Sequence, residues 1–195
     1  MKSNLFCPRI MKETSKGIDF CEILDEMFQN REVECTGTID SDSVYDLCRQ
    51  LRCLQQQDPE AEITMFINSP GGEVDSGLAL YDVMKGVSCP IRTVCLGIAA
   101  SMGAVLFAAG DKRDILPHGR VMIHDPLIPR TGGSALQLQE ISRNLLETRR
   151  EICGILARHT GKSLEEIYEK TAHDCWLNAE EAVTFGLADR VIQTV

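Results

Sequence analysis

Short apolar runs alternate with longer stretches of helical periodicity along this chain, and that alternation constrains the fold more than any other feature. The strand-like runs lie at 32–37, 63–68, 91–97, 120–124 and 189–193. The first helical stretch begins at Asp40 or Ser41, either of which can cap a helix, and ends before Pro59. Strands joined through helices run parallel within one sheet. The pattern therefore predicts an α/β fold with a largely parallel sheet.

Length and continuity predict a single domain. The chain has 195 residues, of which 44% are apolar and 25% charged, and this is enough to bury a sizeable core. No low-complexity tract, linker rich in Pro, Gly or Ser, or tandem repeat interrupts it. We expect residues 1–195 to fold as one unit.

Charge and hydropathy exclude two classes of partner. The net charge of −9 argues against nucleic acid and anionic membranes, because both select for basic surfaces. No run approaches the roughly 20 apolar residues that cross a bilayer. The segment that begins at Met1 lacks the apolar core of a secretory signal. We expect a cytoplasmic protein.

Nine cysteines form no C-x-x-C pair and no Cys/His spacing typical of zinc sites. Their number is odd and most lie in apolar runs, so we expect reduced, mostly buried thiols that act as small hydrophobic side chains. The alternative is one reactive or oligomer-linking cysteine, for which Cys7 near the N-terminus is the candidate.

Ser101 lies where a strand-like run gives way to a helix of small residues. The unpaired N–H groups of a first helical turn would surround its hydroxyl. Ala100 and Gly103 leave room beside it for a substrate backbone. The surrounding pattern is not G-x-S-x-G, which disfavours an α/β-hydrolase. By itself, a serine at this position is more often a simple helix cap.

Three other features could complete a hydrolytic site. His124 ends a strand-like run, Asp174 precedes Cys175, and the glycines of SPGG at 69–72 predict a turn whose N–H groups are unobstructed. Each has a plain structural explanation as a core histidine, a cap or a turn. Together with Ser101 they would provide a nucleophile, a base, a group that orients the base, and donors for an oxyanion.

Five segments jointly resemble the ClpP family, the proteolytic components of Clp proteases. They are INSPGG at 67–72, GIAASMG at 97–103, RVMIHDP at 120–126, HTG at 159–161 and AEEA at 179–182. They occur in the family's order and at nearly its spacing. The resemblance runs from about Glu13 to the C-terminus and is far more specific than any single motif.

The resemblance implies a serine endopeptidase that works through an acyl-enzyme. Ser101 matches the nucleophile, His124 the general base and Asp174 the carboxylate that orients it. The backbone N–H groups of Gly72 and Met102 match the oxyanion hole. The family's proteolytic subunit uses no metal, nucleotide or other cofactor.

The resemblance also implies an architecture and partners. The family fold is a ClpP/crotonase-type spiral of repeated strand–helix units with a protruding handle helix, here in the region of about 128–160, and an N-terminal segment of about 1–17. Subunits form two stacked heptameric rings, a tetradecamer whose chamber degrades unfolded polypeptides in protein quality control. An ATP-driven unfoldase such as ClpX or ClpA feeds the chamber.

Several positions depart from the family pattern. The family usually has two glycines in the substrate-pairing strand where this chain has Pro129 and Arg130, and proline offers no N–H. His173 occupies a position where an arginine is common. The positions matching the family's aromatic unfoldase pocket are Thr64, Phe66, Gly86 and Ile192. We therefore expect weak unfoldase docking.

Three other functions remain open at this stage. Asp174-Cys-Trp-Leu177 is similar to ClpP-like phage maturation proteases, which would act on a dedicated substrate. A modulatory ring subunit paired with a paralogue need not be active. The presence of Ser101, His124 and Asp174 argues against a catalytically inactive subunit. A crotonase-type acyl-CoA enzyme would share the spiral but does not need the serine–histidine pair.

Overall fold

A computed structural model describes residues 8–15, 17–128 and 132–195. The candidate thiol Cys7 and the departures at Pro129 and Arg130 lie outside the described residues. The strands are β1 (Arg9–Thr14), β2 (Gly17–Glu22), β3 (Glu32–Ile39), β4 (Ile63–Gly72), β5 (Ile91–Ala100), β6 (Lys112–Ile115), β7 (Arg120–Ile123), β8 (Cys175–Asn178) and β9 (Arg190–Val191). The helices are α1 (Ile23–Gln29), α2 (Ser41–Gln57), α3 (Val74–Gly86), α4 (Met102–Ala108), α5 (Ala135–Thr160), α6 (Leu164–Thr171) and α7 (Ala179–Phe185).

The main sheet has the order β3-β4-β5-β6-β9, and all of its neighbouring strands run parallel. Strand β7 pairs in parallel with the far end of β5, and β8 pairs antiparallel with β7. These pairings confirm the predicted α/β fold with a largely parallel sheet. The hairpin β1–β2, helix α1 and strands β6 and β8 were not predicted. None of the helices in the described residues is both long and apolar enough to span a membrane.

Helix α2 forms where its capping and periodicity predicted. The Asp40 carboxylate accepts a hydrogen bond from the Ser43 N–H at 2.9 Å, and Asp58 caps the other end. Its buried face carries Val44, Leu47, Leu51 and Leu54. Apolar side chains at this spacing lie on one side of a helix, and here they form part of the core under the sheet.

Helix α5 packs against the body along only part of its length. It begins after the cap Ser134 and ends at Gly161, whose φ of 71° suits the left-handed C-cap that favours glycine. The buried residues Ile152, Cys153, Ile155 and Leu156 all lie in its C-terminal half. Leu136, Leu138 and Leu146 in the N-terminal half are exposed. The first turns of α5 therefore project from the body.

The predicted turn at 69–72 is wrong, because β4 continues through these residues to Gly72. Likewise, β5 continues to Ala100, so Ala99 and Ala100 are strand residues and α4 begins only at Met102. Proline and glycine are compatible with extended backbone where irregular pairing does not require every ladder hydrogen bond. The ends of β4 and β5 consequently both reach the turn at Ser101.

The cysteines divide by burial. Cys35, Cys89, Cys95 and Cys153 are buried, as expected of small hydrophobic side chains. Burial raises the pKa of the Cys35 thiol to about 11 and that of Cys95 to about 12, so both stay protonated at neutral pH. Cys21, Cys48 and Cys175 are half-buried and Cys53 is exposed, so half of the eight cysteines in the described residues are buried rather than most of them.

Candidate active site

Ser101 sits at a sharp turn between β5 and α4. Its φ of 55° and ψ of −123° lie in a region that residues other than glycine rarely occupy. The Ser101 N–H donates to the Met122 carbonyl at 2.8 Å, and the Ala104 N–H donates to the Ser101 carbonyl at 2.9 Å. Such backbone costs about 1–3 kcal/mol and persists only where the surroundings fix it. Although the G-x-S-x-G pattern is absent, the chain thus forms a strained strand–serine–helix turn of the kind that presents nucleophiles.

His124 follows β7, the strand that pairs with the end of β5 through Ala100 and Met122. This parallel pairing brings the ends of the two strands together, with Ser101 one residue after Ala100 and His124 two residues after Met122. The His124 Nε2 lies 2.8 Å from the Ser101 Oγ, within hydrogen-bond distance. The imidazole is 15% exposed. The serine and histidine are therefore joined by strand pairing within the body of the protein.

Asp174 reaches the site because β8 pairs with β7. The register joins Ile123 with Cys175, so the next opposed pair is His124 with Asp174. The Asp174 Oδ1 lies 3.5 Å from the His124 Nδ1, longer than an ordinary hydrogen bond, and the carboxylate is 65% exposed. The structure brings all three predicted residues together, with the aspartate held more loosely than the serine and histidine.

The two glycines of β4 lie on the other side of Ser101. Gly71 has a φ of 96°, and a Cβ built on it would come within 2.6 Å of the Ser101 Cβ and 3.2 Å of the Met102 nitrogen. Only glycine allows this approach. The Glu73 N–H donates to the Ile39 carbonyl of β3 at 2.8 Å. Since successive N–H groups of an extended strand point to opposite sides, the Gly72 N–H points away from β3.

Met102 is the first residue of α4, so its N–H belongs to the turn that has no partner within the helix. The residues predicted as oxyanion donors, Gly72 and Met102, thus lie at the end of β4 and the start of α4, on either side of the Ser101 turn.

An apolar pocket opens beside the Ser101 hydroxyl. It is narrow, with a cavity volume of about 20 Å³. Its walls are formed by Val74, Met102, Val105, Ile123, Pro126, Ile152 and Leu156, with Ser101 and His124 at the mouth. The pocket has no charged wall, so it suits an apolar side chain next to the reacting bond.

Residues 15–195 match the model of a family described as Clp protease. The chain is also 39% identical over 186 residues to the ATP-dependent Clp protease proteolytic subunit 2 of Nocardia farcinica (strain IFM 10152). The aligned residues cover 94% of this chain and 91% of the relative. The chain belongs to the Clp protease family. Its activity is accordingly that of a ClpP-type serine peptidase, and the mixed α/β fold with its parallel sheet is consistent with the ClpP fold.

A polar cluster that was not recognised in the sequence anchors this Clp protease chain immediately after His124. The Asp125 carboxylate accepts hydrogen bonds from Arg149 Nε of α5 at 2.6 Å and from the Thr171 hydroxyl of α6 at 2.7 Å. The Asp125 N–H donates to the Thr171 carbonyl at 2.8 Å. Arg149 also stacks over the Tyr168 ring at 4.2 Å. The chain on both sides of the His124–Asp174 pair is thereby tied to α5 and α6.

Among the described residues, the positions that depart from the ClpP pattern are exposed or half-buried. His173 is exposed beside Asp174. Gly86 is exposed at the end of α3, and Thr64, Phe66 and Ile192 are half-buried. One aromatic ring is therefore present among the four positions that match the unfoldase pocket.

Proposed function

We propose that Ser101, His124 and Asp174 are the catalytic triad, and that the N–H groups of Gly72 and Met102 form the oxyanion hole. The single observation that carries this proposal is the 2.8 Å contact between Ser101 Oγ and His124 Nε2 at a strained strand–helix turn. A hydroxyl is a weak nucleophile unless an adjacent base removes its proton, and this contact supplies such a base.

The geometry supports a specific order of events. As Ser101 Oγ attacks the peptide carbonyl, His124 Nε2 takes the hydroxyl proton, and Asp174 stabilises the imidazolium through Nδ1. The carbonyl oxygen becomes an oxyanion that accepts hydrogen bonds from Gly72 and Met102. His124 then donates its proton to the leaving amine. Water, activated by His124, attacks the acyl-enzyme and releases the second product.

The pocket beside Ser101 sets the side chain preferred before the cleaved bond. Its walls are mostly aliphatic or thioether groups, so an apolar side chain gains from burial there, whereas a charged residue would be desolvated without a partner. We expect leucine or methionine to be cleaved faster than aspartate or lysine at this position.

The chain acts as a proteolytic subunit of an ATP-dependent Clp-type protease that degrades unfolded polypeptides inside a cytoplasmic ring chamber. The relative whose name carries the words ATP-dependent and proteolytic subunit supports this function. The N-terminal half of α5, in the handle region of about 128–160, supports assembly through exposed Leu136, Leu138 and Leu146. Together with an N-terminal segment of about 1–17, this region belongs to one domain of 195 residues.

Stacked heptameric rings and an unfoldase such as ClpX or ClpA complete the proposed assembly. Thr64 and Gly86 offer little apolar area to an unfoldase loop, so each ring position binds it weakly. The homo-oligomer then requires a higher concentration of unfoldase for activation than relatives with aromatic pockets. The reason is that a small loss of binding free energy at each pocket is repeated at every position of the ring.

Fluorophosphonate labelling of the purified chain, followed by sizing of the labelled species, tests the proposal. A labelled particle of ring size is expected, and mapping should find the label on Ser101. A ring-sized particle that takes no label would instead support a modulatory subunit. Cleavage of a single dedicated protein, without turnover of unfolded casein, would favour the maturation protease suggested by Asp174-Cys-Trp-Leu177.

A further inference from the structure

Strand β4 loses its register with both neighbours near Ser69. Toward β3, the pairs change from Thr36 with Asn68 to Thr38 with Gly71. Toward β5, they change from Ile67 with Cys95 to Ser69 with Ala99. Pro70 follows and has no N–H to give to a ladder. Regular strand pairing therefore does not hold the segment that leads into Gly71 and Gly72.

The Ser69 hydroxyl makes the hydrogen bonds that the ladder lacks here. It donates to the Gly37 carbonyl at the irregularity of β3, at 2.6 Å, and accepts from the Gly71 N–H at 3.1 Å. The Ser69 residue is 0% exposed, so water cannot replace these bonds. A buried hydroxyl with two backbone partners fixes both of them, because leaving either unpaired is costly.

Ser69 also contacts the helix that carries the second proposed donor. A Cβ built on Gly103 of α4 would lie 3.1 Å from the Ser69 carbonyl oxygen and 3.3 Å from the Ser69 Cβ. Gly103 thus allows β4 to approach the first turn of α4, next to Met102. The end of β4 and the start of α4 are held against each other at this residue.

We infer that Ser69 is a positioning residue for the oxyanion donors. Its hydroxyl holds the Gly71 N–H, and the Gly71 backbone rests against Ser101 and Met102. A rotation of the Gly71 backbone would turn the adjoining Gly72 N–H away from the site of the developing oxyanion. Ser69 touches neither the substrate nor the triad and acts through Gly71. The inference rests on the oxyanion assignment of the proposed function.

The test compares Ser69→Ala with Thr93→Val in the full-length protein. Thr93 is an equally buried hydroxyl in β5 that donates to the Phe107 carbonyl at 2.8 Å, far from the glycines of β4. For each variant, kcat and KM are measured on a fluorogenic peptide with leucine before the cleaved bond. The inhibition constant of the matching peptide boronic acid reports on a tetrahedral adduct, and thermal unfolding reports on stability.

We expect Ser69→Ala to lower kcat about 10- to 100-fold, since removing an oxyanion donor outright costs about 10²–10³-fold. KM should stay within about twofold, boronate binding should weaken by a factor similar to that of kcat, and the pH midpoint of kcat should not move because His124 is untouched. Thr93→Val should lose stability and keep its kcat. If Ser69→Ala does not fold, Ser69→Cys replaces it in the test. We expect a several-fold loss of kcat in that variant, because a thiol is a weak hydrogen-bonding group.

Wild-type kcat in a folded Ser69→Ala or Ser69→Cys protein would overturn the inference, and so would an equal loss of kcat in Thr93→Val. A shift in the pH midpoint of kcat in the Ser69 variants would overturn it as well, because Ser69 would then act through the triad and not through the oxyanion donors. These outcomes are distinct from failure of the proposed function, in which the wild-type protein reacts with neither the boronate nor a fluorophosphonate.

Discussion

The two sides of the active site are built differently. Ser101 and His124 follow neighbouring parallel strands, lie 2.8 Å apart and are half-buried. Asp174 instead precedes the short antiparallel strand β8, is 65% exposed and lies 3.5 Å from the imidazole. Within one protomer Ser101 and His124 are fixed by packing, whereas Asp174 is positioned by four antiparallel pairs. Of the three residues of the proposed triad, Asp174 is therefore the one that its surroundings can shift most easily.

The largest expected effect is that of Ser101→Ala. Peptidase activity should fall on the order of 10⁴-fold or more, as in other serine triads, and fluorophosphonate labelling should disappear. Particle size should not change, because only one oxygen is removed. Ser76→Ala, which removes an exposed hydroxyl bonded to Glu73, is the matched control and should keep full activity. Labelling of the Ser101→Ala protein at another serine would show that the nucleophile is assigned wrongly.

Asp174→Asn should have a smaller effect, on the order of 10²–10³-fold in kcat. The carboxylate is exposed, so water screens its interaction with the imidazolium more than in a buried triad, where the same change costs about 10⁴-fold. Steady-state kinetics of the sized oligomer measure this loss. If the loss of kcat instead equals that of Ser101→Ala, assembly must shorten the contact between Asp174 and His124. The looser placement of Asp174 would then be a property of the isolated protomer only.

Asp125→Asn should lower kcat about tenfold with a small change in KM. The substitution weakens the bond to Arg149, so the chain after His124 is held less firmly and the productive geometry is less populated. Asp189→Asn is the control, since it weakens an arginine–aspartate pair with Arg113 outside the site. Equal kcat losses in the two variants would contradict a specific role for Asp125.

His159→Gln should leave kcat unchanged and alter only the pH dependence of stability. Burial, and then the nearby charges of Lys85, Arg113 and Arg158, lower the pKa of His159 to about 4, and its Nε2 lies 3.0 Å from the Tyr81 hydroxyl. A histidine in an unfolded chain has a pKa of about 6.5, so between about pH 4 and pH 6.5 the unfolded state binds more protons than the folded state. The contribution of His159 to stability is full above about pH 6.5 and is lost as the pH falls toward 4.

Urea unfolding at about pH 5 and pH 7.5 measures this difference. The wild-type protein should lose more stability between the two conditions than His159→Gln. The exposed His118→Gln serves as the control and should behave like the wild type. An unchanged pH dependence in His159→Gln would mean that folding does not lower the pKa of His159.

Local sequence signals predicted the elements that depend on neighbouring residues. The capped helix α2 and the strand before His124 follow from spacing and capping chemistry, and α5 lies in the handle region expected at about 128–160. Prediction failed where pairing between distant segments decides the conformation. The residues at 69–72 have turn composition but continue β4, because β3 and β5 provide irregular partners on both sides.

The sequence by itself determined the α/β class, the family and the choice of Ser101, His124, Asp174, Gly72 and Met102 as candidates, since residue type and order are enough for a motif. Their catalytic roles stay predictions. Only the tertiary structure decided the strained backbone of Ser101, the opposition of His124 and Asp174 through the unpredicted β8, and the bonds that Ser69 and Asp125 make. Each of these depends on contacts between residues far apart in the chain, and such contacts arise from the packing of distant strands and helices, which the residue spacing within one segment does not determine.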